Sequence, residues 1–197
     1  MSSMNQTKQR ETPPARALPV SLRWLRQIDA DTAQQIVELI NSTVEDGGTL
    51  GYERVMTPEQ GVEFSLSLQS RLQEGGTHAL LGSNGYEPVC FVMLSQSGMP
   101  NCRHIGNLSK GVVHPRHRGH GVVPRAFREI VVMARTLGIE LLTLDVREGS
   151  RAHRLWSTLG FASFGVLNDY ARVNGVSHRG HYMVQRVDDL AARLNAL

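Results

Sequence analysis

Two glycines, Gly119 and Gly121, lie between an apolar run typical of a strand and a segment with helical periodicity. Glycine lets the backbone turn tightly and bring several N–H groups toward one point. Such amides, together with the positive end of a following helix, form a site for a phosphate or pyrophosphate. Arg118 adds a positive charge beside them. The segment therefore predicts an anion site at a strand-to-helix turn, without identifying the anion.

Two other phosphate-binding loops fit this segment less well. A P-loop ends in Gly-Lys-Ser or Gly-Lys-Thr, and a dinucleotide fingerprint has three glycines after the first strand of its unit. Residues 119–124 have neither feature. A lone Gly-x-Gly is also typical of a plain strand-to-helix turn, so the rest of the chain must decide between the two interpretations.

The rest of the chain shows strand and helix signals in a regular order. Asp31 is predicted to cap a first helix, and Thr57–Gln60 has the threonine, proline and glutamine of a capping box. Asn84-Gly85 is a hairpin signal. The predicted elements are a strand over 20–28, helices over 31–46 and 57–74, strands over 78–83, 88–96 and 104–113, a helix over 123–137, a strand over 139–146, a helix over 150–160, and strands over 161–167 and 182–187. This order, β-α-α-β-β-β-α-β-α-β-β, describes an α/β fold with a mixed sheet and helices on both faces.

The length and composition fit one soluble domain. The 197 residues suffice for one sizeable core, and we predict a disordered tail over 1–17 and a single domain over 18–197. The net charge of +3 does not by itself argue for nucleic acid. The sequence has neither the apolar length of a membrane span nor an apolar signal segment. We therefore expect a cytoplasmic protein without membrane or nucleic-acid partners, either a monomer or a homodimer.

Two motifs resemble those of the GNAT superfamily of acetyltransferases. Val113-x-Pro115-x-x-Arg118-Gly119-x-Gly121 resembles the cofactor-binding motif of that family, and Ala152-x-x-Leu155-Trp156-x-x-x-Gly160-Phe161 resembles the motif that follows it. The element order is similar to the whole family fold, so the resemblance spans roughly residues 18–187. Asn101-x-x-His104 and Ser109-Lys110 look more narrowly like the tabtoxin-resistance branch of small-molecule acetyltransferases.

The resemblance implies an acetyl-CoA site and a direct transfer of acetyl to an amine. The pyrophosphate would lie on the amides of residues 118–123, and the pantetheine arm would pair with the backbone at 112 and 113. The implied cofactor-binding residues are Val112, Val113, Arg118, Gly119, His120, Gly121, Val122 and Val123. A primary amine of a small molecule would attack the thioester, with a base to take its proton and an acid to protect the thiolate.

The catalytic residues are less well defined than the cofactor site. Trp156 stands where many relatives have a tyrosine that acts as the general acid, and Asn107 stands where the tabtoxin-resistance branch has a glutamate base. Asp145 ends an apolar strand, at the edge of an α/β sheet where ligands bind. It either acts as a base through a water or only satisfies the backbone amides before Ser150. Tyr170, in the predicted loop after residue 167, is either a substitute acid or a cover for substrate.

Three interpretations differ from the enzyme: a regulator, a metal-binding protein and an RNA-binding protein. The replaced tyrosine and glutamate keep open an acyl-CoA-binding regulator or partner protein without catalysis. His114, His117 and His120 point in different directions on a turn and lack a carboxylate or thiolate, so no metal site is predicted. The arginines of the loop and helix lack the interleaved aromatics of an RNA-binding surface. In the enzyme interpretation, Glu45, Asp46 and Glu53, near the end of the first helix, could attract a cationic amine.

Overall fold

The structure is a computed structural model that describes residues 19–48 and 50–196, so the predicted tail over 1–17 lies outside the described residues. The elements are β1 (Ser21–Leu25), α1 (Ala30–Glu45), α2 (Pro58–Gln73), β2 (Thr77–Ser83), β3 (Pro88–Gln96), β4 (Ile105–Val113), α3 (Val122–Thr136), β5 (Leu141–Arg147), α4 (Arg151–Thr158), β6 (Ala162–Val173), β7 (Val176–Arg186) and α5 (Val187–Asn195). The predicted fold class, a mixed α/β sheet with helices on both faces, is confirmed.

The seven strands form one sheet in the order β1-β2-β3-β4-β5-β7-β6. Neighbouring strands are antiparallel except for β4 and β5, which are parallel. The parallel ladder is short: it joins Ile105–Asn107 to Leu141–Thr143 and then stops. Both strands continue beyond it, β4 to Val113 and β5 to Arg147. The sheet is therefore split at its centre, and we call this gap the β4–β5 opening.

The helices cover the two faces of the sheet with two separate apolar cores. On one face α3, α4 and α5 pack on alternate residues of β5, including Leu142, Leu144 and Val146. On the other face α1 and α2 pack on residues of β2 and β3, including Phe91 and Met93. Because successive side chains of a strand point to opposite faces, the alternate residues Thr143 and Asp145 face α1 and α2.

Helix starts were predicted with mixed accuracy. The capping box of α2 is confirmed, since the Thr57 hydroxyl accepts from the Gln60 N–H and the Gln60 side chain accepts from the Thr57 N–H. Asp31 as the cap of α1 was wrong. Asp29 is the N-cap, its carboxylate accepts from the Thr32 N–H at 2.7 Å, and Asp31 lies in the first turn. Both aspartates suit a helix start, so sequence alone did not separate them.

The predicted polar loop between the last two strands was wrong. β6 and β7 form one long hairpin that turns at Asn174-Gly175, where both residues have positive φ. β6 is an edge strand exposed on much of its length, so it lacks the alternation of apolar and polar residues that marks a half-buried strand. Helix α5 was also missed. Its Val187, Leu190 and Leu194 have helical spacing and are buried, but it follows β7 without a linker.

We expect a matched pair of substitutions on α3 to show that its buried face stabilises the fold. Ile130 is fully buried, whereas Val132 on the same helix is 62% exposed. Ile130→Ala removes buried methyl groups and should lower the free energy of unfolding by about 2–5 kcal/mol. Val132→Ala should change it by less than about 0.5 kcal/mol. Denaturant unfolding checks both variants, and equal losses would contradict this account of the core.

Candidate active site

A bulge in β4 contributes to the β4–β5 opening. Ser109 and Val112 pair with residues 93 and 91 of β3, so Val92 faces two residues of β4, Lys110 and Gly111. Lys110 adopts a left-handed backbone with φ of 53°, uncommon for a residue other than glycine. A bulge bends the strand that carries it and increases its local twist. Beyond the short parallel ladder β4 and β5 no longer pair, which leaves space between their facing edges for a ligand.

The predicted anion-binding loop lies at the end of β4, between the sheet and α3. Gly119 and Gly121 have φ of 79° and 70°, which is the left-handed region that favours glycine. Gly121 is the N-cap of α3 and gives it no side-chain cap. The space where a Cβ would lie at either glycine is open within 4 Å. The first N–H groups of a 15-residue helix therefore face an accessible loop, as an anion site requires.

Arg118 is engaged by a carboxylate rather than standing free over the loop. Its Nε donates to the Val113 carbonyl at 3.2 Å, and its Nη1 forms an ion pair with Asp46. Arg151 Nη1 also donates to Asp46, at 3.0 Å. The hydrogen bond from Arg118, aided by the charges of both arginines, lowers the pKa of Asp46. Asp46 therefore balances two arginines beside the loop instead of offering a free charge to a cationic amine.

The two predicted catalytic residues touch each other. The Tyr170 hydroxyl donates to the Asp145 carboxylate, although the residues are 25 positions apart. Tyr170 lies on β6, not in a loop as predicted. Burial raises the pKa of Tyr170, and the hydrogen bond and charge of Asp145 raise it further. The phenol therefore holds its proton firmly and acts as a hydrogen-bond donor at this site.

A glycine in β7 positions the Tyr170 ring. The ring lies over Gly180 so closely that a Cβ there would be 2.1 Å from the Tyr170 Cγ. The pairing of β6 with β7 shifts register between Leu167 and Ala171, and this irregularity includes Tyr170. The ring of Tyr182, which pairs with Asp145 across β5 and β7, stands edge-on to Tyr170 with centroids 6.4 Å apart. Sequence reasoning did not single out Gly180 or Tyr182.

Trp156 and Asn107, which stand at the departures from the family pattern, have structural partners. Trp156 is buried and packs edge-on between Phe127 and Phe161, with ring centroids 5.5 and 5.4 Å away. The space above Gly111 is bounded by this indole, 3.5 Å from a Cβ position. Asn107 Nδ2 lies 3.4 Å from the carbonyl and hydroxyl oxygens of Thr143, at the last pair of the parallel ladder. Both residues shape the base of the β4–β5 opening.

The loop histidines do not form a metal site. His117 Nε2 lies 2.8 Å from Glu87, and His114 Nδ1 accepts from the Arg116 N–H. Across residues 19–48 and 50–196, no three histidine, cysteine, aspartate or glutamate side chains come together as metal ligands. Among the described helices, none has the length and apolar character needed to cross a membrane.

Comparison with known protein families identifies the family of this chain. The sequence model of the Acetyltransferase (GNAT) family matches residues 40–161, more than half of the chain. The chain is a GNAT acetyltransferase. The match spans α2, the β4–β5 opening, the glycine loop and α4, so the predicted superfamily is confirmed and the activity class is acyl transfer. No curated protein matches the chain in sequence.

Solved structures share this GNAT fold at low sequence identity. yncA of Salmonella typhimurium, assigned as an acetyltransferase and solved with its cofactor acetyl-CoA, has a TM-score of 0.67 at 17% identity over 86% of this chain and 94% of its own. A protein assigned as a phosphinothricin N-acetyltransferase has a TM-score of 0.69 at 18% identity, over 86% of this chain and 99% of its own. The ribosomal-protein-alanine N-acetyltransferase of Brucella melitensis has a TM-score of 0.68 at 18% identity, over 84% of this chain and 99% of its own. At these identities the likeness establishes the fold, and the tabtoxin-resistance branch stays a prediction.

We expect acetyl-CoA to raise the melting temperature of the wild-type protein by mass action, and Gly121→Val to abolish that rise. A β-branched side chain costs about 1–2 kcal/mol or more in a left-handed backbone and blocks the approach of phosphate to the loop. Gly85→Val is the matched control. Gly85 has a similar φ of 90° and open surroundings in the β2–β3 turn. The control should lose stability but keep the acetyl-CoA shift, and a shift retained by Gly121→Val would place the ligand elsewhere.

Proposed function

We propose that the protein is an acetyl-CoA-dependent N-acetyltransferase that transfers acetyl to a primary amine of a small molecule. The observation that carries this proposal is the contact between Asp145 and Tyr170 beside the β4–β5 opening. A carboxylate and a protonated phenol can assist amine acetylation, the first by taking a proton and the second by donating a hydrogen bond. The two N-acetyltransferases among the similar structures support the choice of nitrogen as acceptor.

The residues present fit acetyl-CoA. The N–H groups of residues 119–123 would hold the pyrophosphate at the start of α3. The backbone of Val112 and Val113, which lies beyond the parallel ladder, would pair with the pantetheine arm. Arg118 would stay beside the phosphates, tied to Asp46. When bound, acetyl-CoA supplies an activated acetyl thioester. The Salmonella structure with acetyl-CoA supports this assignment.

Asp145 and Tyr170 would have different roles in the transfer, Asp145 as proton acceptor and Tyr170 as hydrogen-bond donor. Asp145 faces α1 and α2, so its carboxylate can receive the proton of an amine entering on that side, directly or through a water. Tyr170 keeps its proton because its pKa is raised. Once Asp145 has taken the proton of the amine, the Tyr170 hydroxyl can turn from it and donate its hydrogen bond to the leaving thiolate, which then takes a proton from solvent. Trp156 lies in the core and is not available for that task. The Gly180 backbone holds the tyrosine ring against the carboxylate.

The proposal is tested by measuring thiol release from acetyl-CoA over a panel of primary amines. Tyr170→Phe removes the hydroxyl that contacts Asp145 and should lower kcat by about 10²–10⁴-fold. The acetyl-CoA melting shift should stay near the wild-type value, because the phosphate loop is unchanged. Tyr86→Phe is the control, since Tyr86 is 86% exposed on the β2–β3 turn. Full activity in Tyr170→Phe would reduce Tyr170 to a wall of the substrate pocket.

The same assay has an expected pH dependence. Because a raised pKa keeps the phenol protonated where an ordinary tyrosine, with a pKa of about 10, loses its proton, loss of the Tyr170 proton should not lower the wild-type kcat between about pH 9 and about pH 11. A wild-type protein that binds acetyl-CoA but releases no thiol with any amine would instead support the regulator. A cytoplasmic location and a monomer or homodimer stay predictions.

We expect Gly180→Ala to reproduce much of the Tyr170→Phe defect. A methyl group at residue 180 would occupy the space of the tyrosine ring, which must then leave Asp145. kcat should fall by about tenfold or more while the acetyl-CoA shift is retained. Gly165→Ala is the control on the same hairpin, because its Cβ would meet Tyr182 at an ordinary 3.8 Å. Equal rates in the two variants would contradict the positioning role of Gly180.

A further inference from the structure

The ammonium group of Lys110 is held by a site built for a cation. Its Nζ donates to the Leu50 carbonyl at 2.5 Å and stands 4.3 Å from the centre of the Tyr52 ring. The backbone at Gly51 comes so close that a Cβ there would be 3.3 Å from Nζ. A carbonyl oxygen and an aromatic face are both favourable partners for an ammonium ion. Residues 50–52, between α1 and α2, therefore wrap around the end of this side chain.

The side chain of Lys110 lies on the face of the sheet where an acceptor amine would enter. The next residue, Gly111, faces Trp156 and the core under α3, whereas Lys110 reaches the segment between α1 and α2. Lys110 follows the last ladder pair of β4 by three residues, and Asp145 follows that of β5 by two. The two side chains therefore stand on the two strands that border the opening.

The lowered pKa of Lys110 favours its reaction as a nucleophile. Burial lowers the pKa of its ammonium, the charge of Arg71 lowers it further, and the carboxylate of Asp145 opposes them. A lower pKa leaves a larger fraction of the amine neutral, and only the neutral amine is nucleophilic. Lys110 and Lys8 are the only lysines of the sequence. Lys110 is therefore the only lysine among the described residues, and its amine is half-buried beside the opening.

We propose that Lys110 is an internal acetyl acceptor, acetylated by the acetyl-CoA that the β4–β5 opening binds. The inference rests on the proposed function, because it uses the same donor site. The Leu50 carbonyl and the Tyr52 ring form an ammonium site, and the chain fills that site with its own amine. The site thus holds a primary amine on the face where the acetyl group is delivered.

The transfer balances without any further reactant. The Lys110 ammonium first gives one proton to solvent, and its nitrogen lone pair then attacks the carbonyl carbon of the thioester. A C–N bond forms and the C–S bond breaks, with the electron pair leaving on sulfur. A second proton passes from nitrogen to the thiolate, so the products are an amide at Lys110 and free CoA thiol. Acetylation removes the positive charge, and the contact with the Tyr52 ring loses its cation–π attraction.

The test is to incubate the full chain with acetyl-CoA and no added amine, and to follow its intact mass. We expect a gain of one acetyl group per chain, mapped to Lys110 by proteolysis and fragment-ion sequencing. Lys8→Arg is the matched control and should gain the acetyl group as the wild type does. Lys110→Arg should not gain it. Gly121→Val should also lose the gain, because it loses the donor site.

The outcomes separate this inference from the proposed function. An acetyl-CoA melting shift and thiol release with an added amine, but an unmodified Lys110, would overturn the inference and leave the proposed function standing. Equal acetylation of Lys110 in wild type and Gly121→Val would also overturn it, since the thioester would then react without the site. No melting shift and no acetylation would overturn both.

Discussion

The short parallel ladder between β4 and β5 is the constraint on which the rest of the site depends. Three residues of each strand pair, and β4 then carries the bulge at Lys110. A continuous ladder would satisfy the backbone groups of both strands and leave no room at the centre of the sheet. Because the ladder stops, the facing edges of the two strands no longer pair with each other, and the glycine loop and α3 begin beside them.

Two polar contacts then organise the surroundings of the opening. On the side of β6 and β7, the absence of a side chain at Gly180 lets Tyr170 reach Asp145. On the side of α1, Asp46 holds Arg118 of the glycine loop and Arg151 of α4 together. Each contact joins segments far apart in the chain, so the donor site and the acceptor side are fixed by the same folded core. The proposed transfer to Lys110 would use both.

The fold and the glycine turn before α3 could be predicted because their signals are local. Gly119 and Gly121 require positive φ at the turn before α3, and a local motif is enough to express that need. The capping box at Thr57 and the apolar runs of the central strands are equally local. The predicted element order was right through β7; the errors were the loop predicted between the last two strands and the missed α5. There the exposed edge strand has no apolar alternation to mark it, and the helix has no linker before it.

The sequence by itself determined the family, the mixed sheet and the turn that would hold a pyrophosphate, since these follow from residue spacing along the chain. Tertiary structure decided which side chains meet. The contact of Tyr170 with Asp145 depends on the register of β6 against β7, and no spacing in the sequence encodes it. The ammonium site around Lys110 depends on the packing of residues 50–52, after α1, against the Lys110 side chain of β4. Such contacts arise from packing between distant segments, so residue spacing along the chain does not predict them.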